Sequence, residues 1–505
     1  MVVKSPKNVL ISVFDKEGLK PIAERLSAQG ATIYSTGGTY SAITSWGIQA
    51  VEVESLTSYP SILGGRVKTL HPKIFGGILA REDNASDLKE LGEYKIPLFD
   101  WVIVDLYPFE ETLANGVSHQ EIIEKIDIGG ISLIRAAAKN YKDTLVVSHR
   151  GQYEDVLALL ESKGGQTDLN ERKVFAAEAF GISSTYDNLI YGYLAEEATV
   201  FAVSQDHPMP LRYGENPHQR ATFFGDFSAM FTRLSGKPVS YNNLMDIESA
   251  VQVIAEFKQP TFAIIKHNNT CGLATSDNVA KAYVKALACD NVSAFGGILI
   301  TNQEVDMKCA EAIQKLFFEV LIAPSFAPGV VDKLKVKKNR IILQQEPYDP
   351  KHRGYRSMLN GVVVQDTDLA IEKPKNWTTL SEKLPDQRTL KDLSFALKAV
   401  KHLKSNGIAI VKNRQLIGMG CGQTSRVDAL QQAIAKANSF GFSVEGAVFA
   451  SDAFFPFPDC VEIAGKAGMI GVVHPGGSIR DQDSVDMANQ LGVALCITGV
   501  RHFKH

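Results

Sequence analysis

Apolar and polar residues alternate in blocks along the first 150 positions. NVLISVF (8–14) is an apolar run of strand length. PIAERLSAQG (21–30) then places apolar residues at helical spacing, with proline near the start and Gly30 at the stop. ATIYS (31–35) is a second strand, followed by TGGT and a short helix ending at Gly47. WVIVDLY (101–107) and TLVVSH (144–149) are further strands, and DIGGISLIRAAAKN (127–140) is a glycine turn that opens a helix. Strands alternating with helices predict an α/β fold built on a parallel, wound sheet. A helical region runs from about Tyr153 to Ala198, and a change of pattern places a domain boundary near residue 199, giving domains 1–199 and 200–505.

The second part carries a diverged duplication. TFAIIKHNNTCG (261–272) precedes a helix, NVAKAYVKALAC, and a strand, VSAFGGILITN. GIAIVKNRQLIGMGCG (407–422) precedes the helix DALQQAIAKAN and the strand VEGAVFASDAFF. Both units read strand, Lys with His or Asn, turn, helix, strand, and the second shows an extra hairpin, KNRQLIGMG. Two stacked α/β subdomains are expected.

With 505 residues, 45% hydrophobic and 22% charged, the chain has ordinary globular proportions and room for roughly three domain-sized cores. Lys plus Arg (53) nearly balances Asp plus Glu (56), which gives no support for a nucleic-acid or membrane-surface protein. The opening MVVKSPKNVLISVFDKEG has no signal-peptide pattern, and no apolar stretch is long enough for a membrane span, so a cytoplasmic protein is expected. The six cysteines are scattered without CxxC, which predicts reduced thiols and no zinc site; no metal ligand set is proposed.

Chemistry concentrates in a few stretches. STGGT (35–39) and DIGG (127–130) place paired glycines, Gly37–Gly38 and Gly129–Gly130, at strand-to-helix turns, where backbone N–H groups and the helix dipole bind anions. Neither is a Walker loop or GxGxxG. GGRVKTLHP (64–72) adds Arg66 and Lys68, and RAAAKN adds Lys139, so a pocket for a phosphate ester is expected in the first domain. In the second part IKHNNTCG places Lys266 beside His267 where a strand should end. A neutral imidazole next to an ammonium offers a base and a charge stabiliser at once. In a regular strand the two side chains would point to opposite faces, but Asn268, Asn269 and Gly272 are turn formers. SDAFFPFPD (451–459) sets three phenylalanines between carboxylates, an apolar slot suited to a flat heterocycle or a plain core edge. The zinc-deaminase pattern, HxE with PCxxC, is absent.

Taken together and in order, STGGT, GGRVKTLHP, DLYPF, DIGG with RAAAKN, LRYGENPHQ, KHNNTCG, SAFGG, GQTSR, SDAFFPF and RHFKH resemble the bifunctional purine-biosynthesis family of 5-aminoimidazole-4-carboxamide ribonucleotide (AICAR) formyltransferase/IMP cyclohydrolase. The resemblance runs nearly end to end. It implies a methylglyoxal-synthase-like cyclohydrolase domain, then a formyltransferase region made of two cytidine-deaminase-like subdomains. The implied reactions are formyl transfer from the cosubstrate 10-formyltetrahydrofolate to the 5-amine of AICAR, then dehydrative closure of formyl-AICAR to IMP. By the same resemblance, His267 is the base, and Lys266 and Asn406 (in KSNG) stabilise developing charge. Arg212, Tyr213 and Arg426 hold the nucleotide, and Phe454, Phe457 and Asp459 meet the pterin. The cyclohydrolase set maps to Lys68, Tyr107, Asp127 and Lys139, with Ser12, Lys16, Ser35, Thr36, Gly37, Arg66, Thr69, Gly129 and Gly130 around phosphate and ring.

The resemblance further implies a homodimer with formyltransferase sites at the subunit interface, and leaves open a structural potassium ion. Three positions depart from the family's usual pattern. Phe14 replaces a small hydroxyl residue and would cost a phosphate contact. Asp105 replaces asparagine and would alter ring recognition or its neighbours' ionisation. Thr270 replaces proline and would loosen the Lys–His turn. The alternative from another class is a nucleotide-sensing domain fused to an inactive transferase; intact Lys68, Tyr107, Asp127 and Lys139 speak against it.

Overall fold

A computed structural model describes residues 3–63, 66–195, 200–203, 205, 208–347 and 353–505. The chain separates into two compact units, Met1–Ser204 and Gln205–His505. The boundary expected at residue 199 and the Gly64–Gly65 pair of GGRVKTLHP lie outside the described residues.

The first unit is built on five parallel strands: β1 (Asn8–Ser12), β2 (Thr32–Ser35), β3 (Val51–Glu52), β4 (Trp101–Val104) and β5 (Leu145–Val147). Their spatial order is β3-β2-β1-β4-β5. Helices include α1 (Leu19–Ala28), α2 (Gly37–Ser45), α3 (Gly129–Lys139), α4 (Tyr153–Lys163) and α5 (Leu169–Leu194). β1 shows why the sheet is covered on both sides: Val9 and Ile11 enter one core with Ile22 and Leu26 of α1, while Leu10 enters the other with Ile134 of α3. An apolar residue on every position is what a doubly covered parallel strand requires. Because the order reverses between β1 and β4, their carboxyl ends diverge and leave a crevice, the usual ligand position in wound sheets.

The second unit holds one twelve-stranded mixed sheet. Its strands are β6 (Phe231–Ser235), β7 (Thr261–Lys266), β8 (Asn269–Thr275), β9 (Gly297–Thr301), β10 (Phe318–Ala323), β11 (Ile341–Gln345), β12 (Thr378–Thr379), β13 (Ile408–Lys412), β14 (Gln415–Gly420), β15 (Val448–Ser451), β16 (Gly471–His474) and β17 (Ala494–Ile497). The order is β12-β17-β16-β15-β13-β14-β8-β7-β9-β10-β11-β6. In each half an antiparallel hairpin (β7-β8, β13-β14) is followed by an antiparallel neighbour (β9, β15) and two parallel strands. The halves meet where β8 pairs antiparallel with β14. This order, second-first-third-fourth-fifth in both halves, realises the expected duplication. The hairpin taken as an extra of the second half is present in the first as well, because β8 carries the chain straight back from the Lys266–His267 turn.

Five helices matter below: α6 (Tyr241–Ala255), α7 (Val279–Cys289), α8 (Gln387–Val400), α9 (Arg426–Ser439) and α10 (Asp459–Lys466). α7 and α9 lie against the hairpins so closely that side chains are excluded. A Cβ on Gly272 of β8 would meet the Ala286 carbonyl at 2.3 Å, and one on Gly420 of β14 the Ala429 carbonyl at 1.9 Å. α6 and α8 pack on the other face in a core that spans both halves. Among the described residues no helix is long and apolar enough to cross a membrane.

Candidate active sites

The crevice at the ends of β1 and β4 opens into a cavity of about 600 Å³. Ser12, Lys16, Thr36, Arg66, Lys68, Thr69, Tyr107, Asp127, Gly129 and Gly130 line it, so most of the residues expected around phosphate and ring converge here. Gly38, Thr39, Phe14 and Asp105 line it as well. The two glycine turns face it in the way their sequences promised: Gly37 has φ 52°, and a Cβ there would meet Lys68 Nζ at 3.0 Å. A Cβ on Gly129 would lie 3.2 Å from Thr69 Oγ1.

Side chains behind the cavity fix its walls. Thr39 ties α2 to the end of β1, its hydroxyl donating to the Val13 carbonyl at 2.8 Å and accepting from the Val13 amide at 3.1 Å. Ser35 does not reach the cavity; it is buried and its hydroxyl donates to the Ile11 carbonyl at 2.8 Å. Thr36 donates to Glu54 Oε1 at 2.9 Å. Asp127 Oδ1 accepts from the Gly130 amide at 2.7 Å, and the Asp127 amide donates to the Tyr186 hydroxyl at 2.7 Å. Burial raises the Asp127 carboxyl above the ordinary value; the Gly130 amide opposes that, and the Asp105 charge adds to it.

Asp105 accepts from two successive amides, that of Phe14 and, at 2.9 Å, that of Asp15. Its carboxylate therefore clamps the loop after β1, a role visible only in the fold, and burial raises its own carboxyl too. Arg66 pairs with Glu124 at the exposed rim. Lys139 stands apart: it is exposed at the far end of α3, ten residues and about 15 Å of helix from Gly129, and does not line the cavity.

In the second unit Lys266 ends β7, and His267 (φ 51°) and Asn268 (φ 60°) form the turn into β8, where Asn269 pairs with Lys266. Positive φ at both central residues makes this a type I′ hairpin turn, the kind whose twist matches the strands it joins. The strand thus stops at Lys266, and the turn carries His267 out of the alternation that would have sent it to the opposite face. Asp246 of α6 accepts from the Asn268 amide at 2.7 Å and from the His267 amide, and burial raises its carboxyl. Lys266 Nζ donates to the Phe295 and Gly296 carbonyls at 3.1 and 3.0 Å. Thr270 is buried in β8 and paired with Ile265, and the ladder shifts register between it and Gly272.

Asn406 precedes β13 at the same end of the sheet, three strands from β7 and so about 14 Å away. Its amide donates to the Gln423 carbonyl at 3.1 Å. Arg426, expected to hold the nucleotide, is instead buried: its guanidinium donates to Asp452 and, at 3.0 Å, to Ser451 Oγ. Phe454 and Phe457 expose their rings, the Arg480 guanidinium lies 5.1 Å from the Phe457 ring centre, and Asp459 opens α10. Phe455, between them, is core. Arg212 lies over the Tyr213 ring at 5.6 Å, in a surface segment joined to α6 by the Asn242 side chain and the Glu215 carbonyl. The exposed pair Phe295 and Phe317, 4.9 Å apart beside the Lys266 anchor, escaped the sequence reading; SAFGG hid an aromatic wall inside a glycine turn. Among the described residues no group of three His, Cys, Asp or Glu is placed to hold a metal.

Comparison with known proteins identifies the family. Residues 18–132 match the MGS-like domain, and residues 137–436 match the AICARFT/IMPCHase bienzyme family. The chain is 53% identical over 503 residues to the bifunctional purine biosynthesis protein PurH of Bacteroides thetaiotaomicron, covering 99% of both chains. It is 44% identical to PurH of Acetivibrio thermocellus and 43% to PurH of Persephonella marina, each over 99% of this chain and 100% of the relative. With a wound N-terminal sheet, a duplicated C-terminal sheet and relatives matched from end to end, this chain belongs to the AICARFT/IMPCHase bienzyme family.

Proposed function

We propose that the two units divide the family's two reactions, ring closure in the cavity of the first and formyl transfer at the Lys266–His267 turn of the second. The chain catalyses the last two steps of purine biosynthesis: AICAR is formylated from a folate-type donor, and the product closes to IMP. The observation that supports the division is geometric: most of the expected cyclohydrolase residues line one cavity of the first unit, and the Lys266–His267 turn lies in the second.

For ring closure the two reacting groups belong to one molecule, so orientation alone is worth on the order of 7–11 kcal/mol. The amides of the glycine turns, with Lys16 and Arg66, grip the phosphate. Lys68 and Tyr107 face the reacting ring. Asp127, whose carboxyl burial holds above its ordinary value, exchanges the proton that leaves the attacking nitrogen and departs with water. For formyl transfer the amine of AICAR is weakly nucleophilic because its lone pair is delocalised into the ring. His267 takes its proton as it attacks the formyl carbon, while Lys266 faces the developing oxyanion. Asn406 stands too far from His267 to touch it, and the interval between them is one that the paired substrates fill. The donor is 10-formyltetrahydrofolate, its pterin against Phe454, Phe457 and Asp459. The enzyme acts as a cytoplasmic homodimer.

The test is to assay the two steps separately. His267→Ala should abolish formyl transfer and leave the cyclisation of supplied formyl-AICAR at the parent rate. Lys68→Ala should do the reverse, so that formylated intermediate accumulates. Near-normal formyl transfer without His267, or near-normal cyclisation without Lys68, removes that residue from its site. Lys139→Ala decides the member of the catalytic set Lys68, Tyr107, Asp127 and Lys139 that lies off the cavity: loss of cyclisation there requires a contribution from outside this set of walls.

A further inference from the structure

We propose that Phe14 is the surface on which the flat base of the cyclohydrolase nucleotide stacks, making it a specificity-determining residue of that step; the inference rests on the cyclohydrolase reading of the cavity. Phe14 is 44% exposed although it follows the fully apolar Val9–Ile11 run and the buried Val13, and its ring lies in the cavity wall instead of either core. Its backbone is fixed at both ends of the peptide unit: the amide donates to Asp105, and the carbonyl accepts from Lys16 Nζ at 2.6 Å. The chain therefore holds an apolar ring in a polar cavity by clamping the loop beneath it.

The ring makes a corner with Tyr107, which is 40% exposed: their centres are 5.1 Å apart and their planes 64° from parallel. Such a corner presents one face for stacking and one edge for contact, a shape suited to a planar heterocycle and useless to a phosphate. The Lys125 ammonium lies 5.8 Å from the Phe14 centre and 5.5 Å from the Tyr107 centre, and the Lys16 ammonium 5.9 Å from the Phe14 centre, weak cation contacts that a stacked base can replace. The Lys16 ammonium, also 3.9 Å from where a Cβ on Gly38 would lie, stands between the α2 glycine turn and the aromatic corner, so a phosphate at that turn leaves the corner to the base. Loss of a hydroxyl at position 14 is thus offset by a gained stacking surface.

The experiment measures cyclisation of formyl-AICAR by the full chain and its inhibition by IMP and by ribose 5-phosphate, which has the phosphate and sugar but no base. Phe14→Ala should raise KM for formyl-AICAR and Ki for IMP roughly tenfold, as loss of a stacking contact does, with kcat within about twofold and Ki for ribose 5-phosphate unchanged. Phe14→Tyr, which keeps the ring, should behave as the parent. An unchanged Ki for IMP in Phe14→Ala, or equal weakening of both inhibitors, overturns the proposal. If the parent chain cyclises formyl-AICAR but Lys68→Ala does so equally well, it is the cavity assignment that fails, and Phe14 falls with it.

Discussion

The two hairpin turns of the C-terminal unit share a scaffold and differ in chemistry. In the second, Asn413 (φ 56°) and Arg414 (φ 55°) repeat the positive φ values of His267 and Asn268. Asp392 of α8 accepts from the Asn413 and Arg414 amides at 2.8 and 2.7 Å, as Asp246 of α6 does for the first turn. Both aspartates lie six residues beyond their helix N-caps, Asp386 and Ser240. Lys412 Nζ donates to the Glu445 carbonyl at 2.6 Å, just before Gly446, much as Lys266 reaches the carbonyls at Gly296. Lysine, turn, carboxylate clamp and lysine anchor are therefore parts of the frame. What the first turn has alone is an imidazole. Its counterpart Asn413 accepts from Arg388 at 2.5 Å and offers no base. A lysine that looks catalytic in sequence is partly a strut in both halves, and the side chain that differs between strut and clamp is His267 in one half and Asn413 in the other.

His267→Asn, which writes the second turn into the first, should break that difference most sharply. Formyl transfer should fall by about 10²–10⁴-fold, the usual worth of a positioned general base, with thermal stability unchanged. If the activity survives, the imidazole is not what separates the turns. Gly272→Ala and Gly420→Ala test the shared frame. Each should lower unfolding stability by about 1–3 kcal/mol in denaturant titration, since the helix carbonyl leaves no space for a Cβ. Asp246→Ala and Asp392→Ala sharpen the comparison. Both should cost about 1–3 kcal/mol by stranding turn amides, but only Asp246→Ala should also lower formyl transfer, about tenfold. Because burial holds the Asp246 carboxyl above its ordinary value, acidification should protonate it, release the turn amides and reduce formyl transfer at a higher pH than an exposed aspartate would set. The smallest effect is expected from Asn413→His, which should change stability by less than about 0.5 kcal/mol and add no formyl transfer. A gain in rate would mean that the second half retains a substrate groove.

The first unit was the more legible in sequence. NVLISVF, ATIYS, WVIVDLY and TLVVSH all became parallel strands; in the first, third and fourth the residues buried on both faces are a continuous apolar run, a pattern that survives without knowledge of neighbours. The glycine turns were legible for a similar reason: a strand-to-helix turn beside an anion site constrains the backbone locally. β8 was not read as a strand, since NTCGLAT mixes polar and small residues that suit a strand only once α7 has closed on Gly272. The resemblance alone assigns Arg426 to the nucleotide, and its burial against Asp452 is not legible in GQTSR, because only packing brings Asp452 to it. Asp105, expected as an anion that alters ring recognition or its neighbours' ionisation, does push the Asp127 carboxyl up, and it also clamps the Phe14 and Asp15 amides, which only the fold shows.

The sequence by itself determined the class of fold, the duplication and the identity of the chemical groups, because those follow from periodicity, turn formers and the presence of His267, Lys266, Lys68 and Asp127. Tertiary structure alone decided which of these groups meet. The reversal of strand order between β1 and β4 opens the cavity, the type I′ turn redirects His267, and the length of α3 carries Lys139 away from Gly129. The physical reason is that side-chain chemistry is local, whereas convergence depends on strand order, helix length and turn hand, quantities set by pairings between residues tens to hundreds of positions apart.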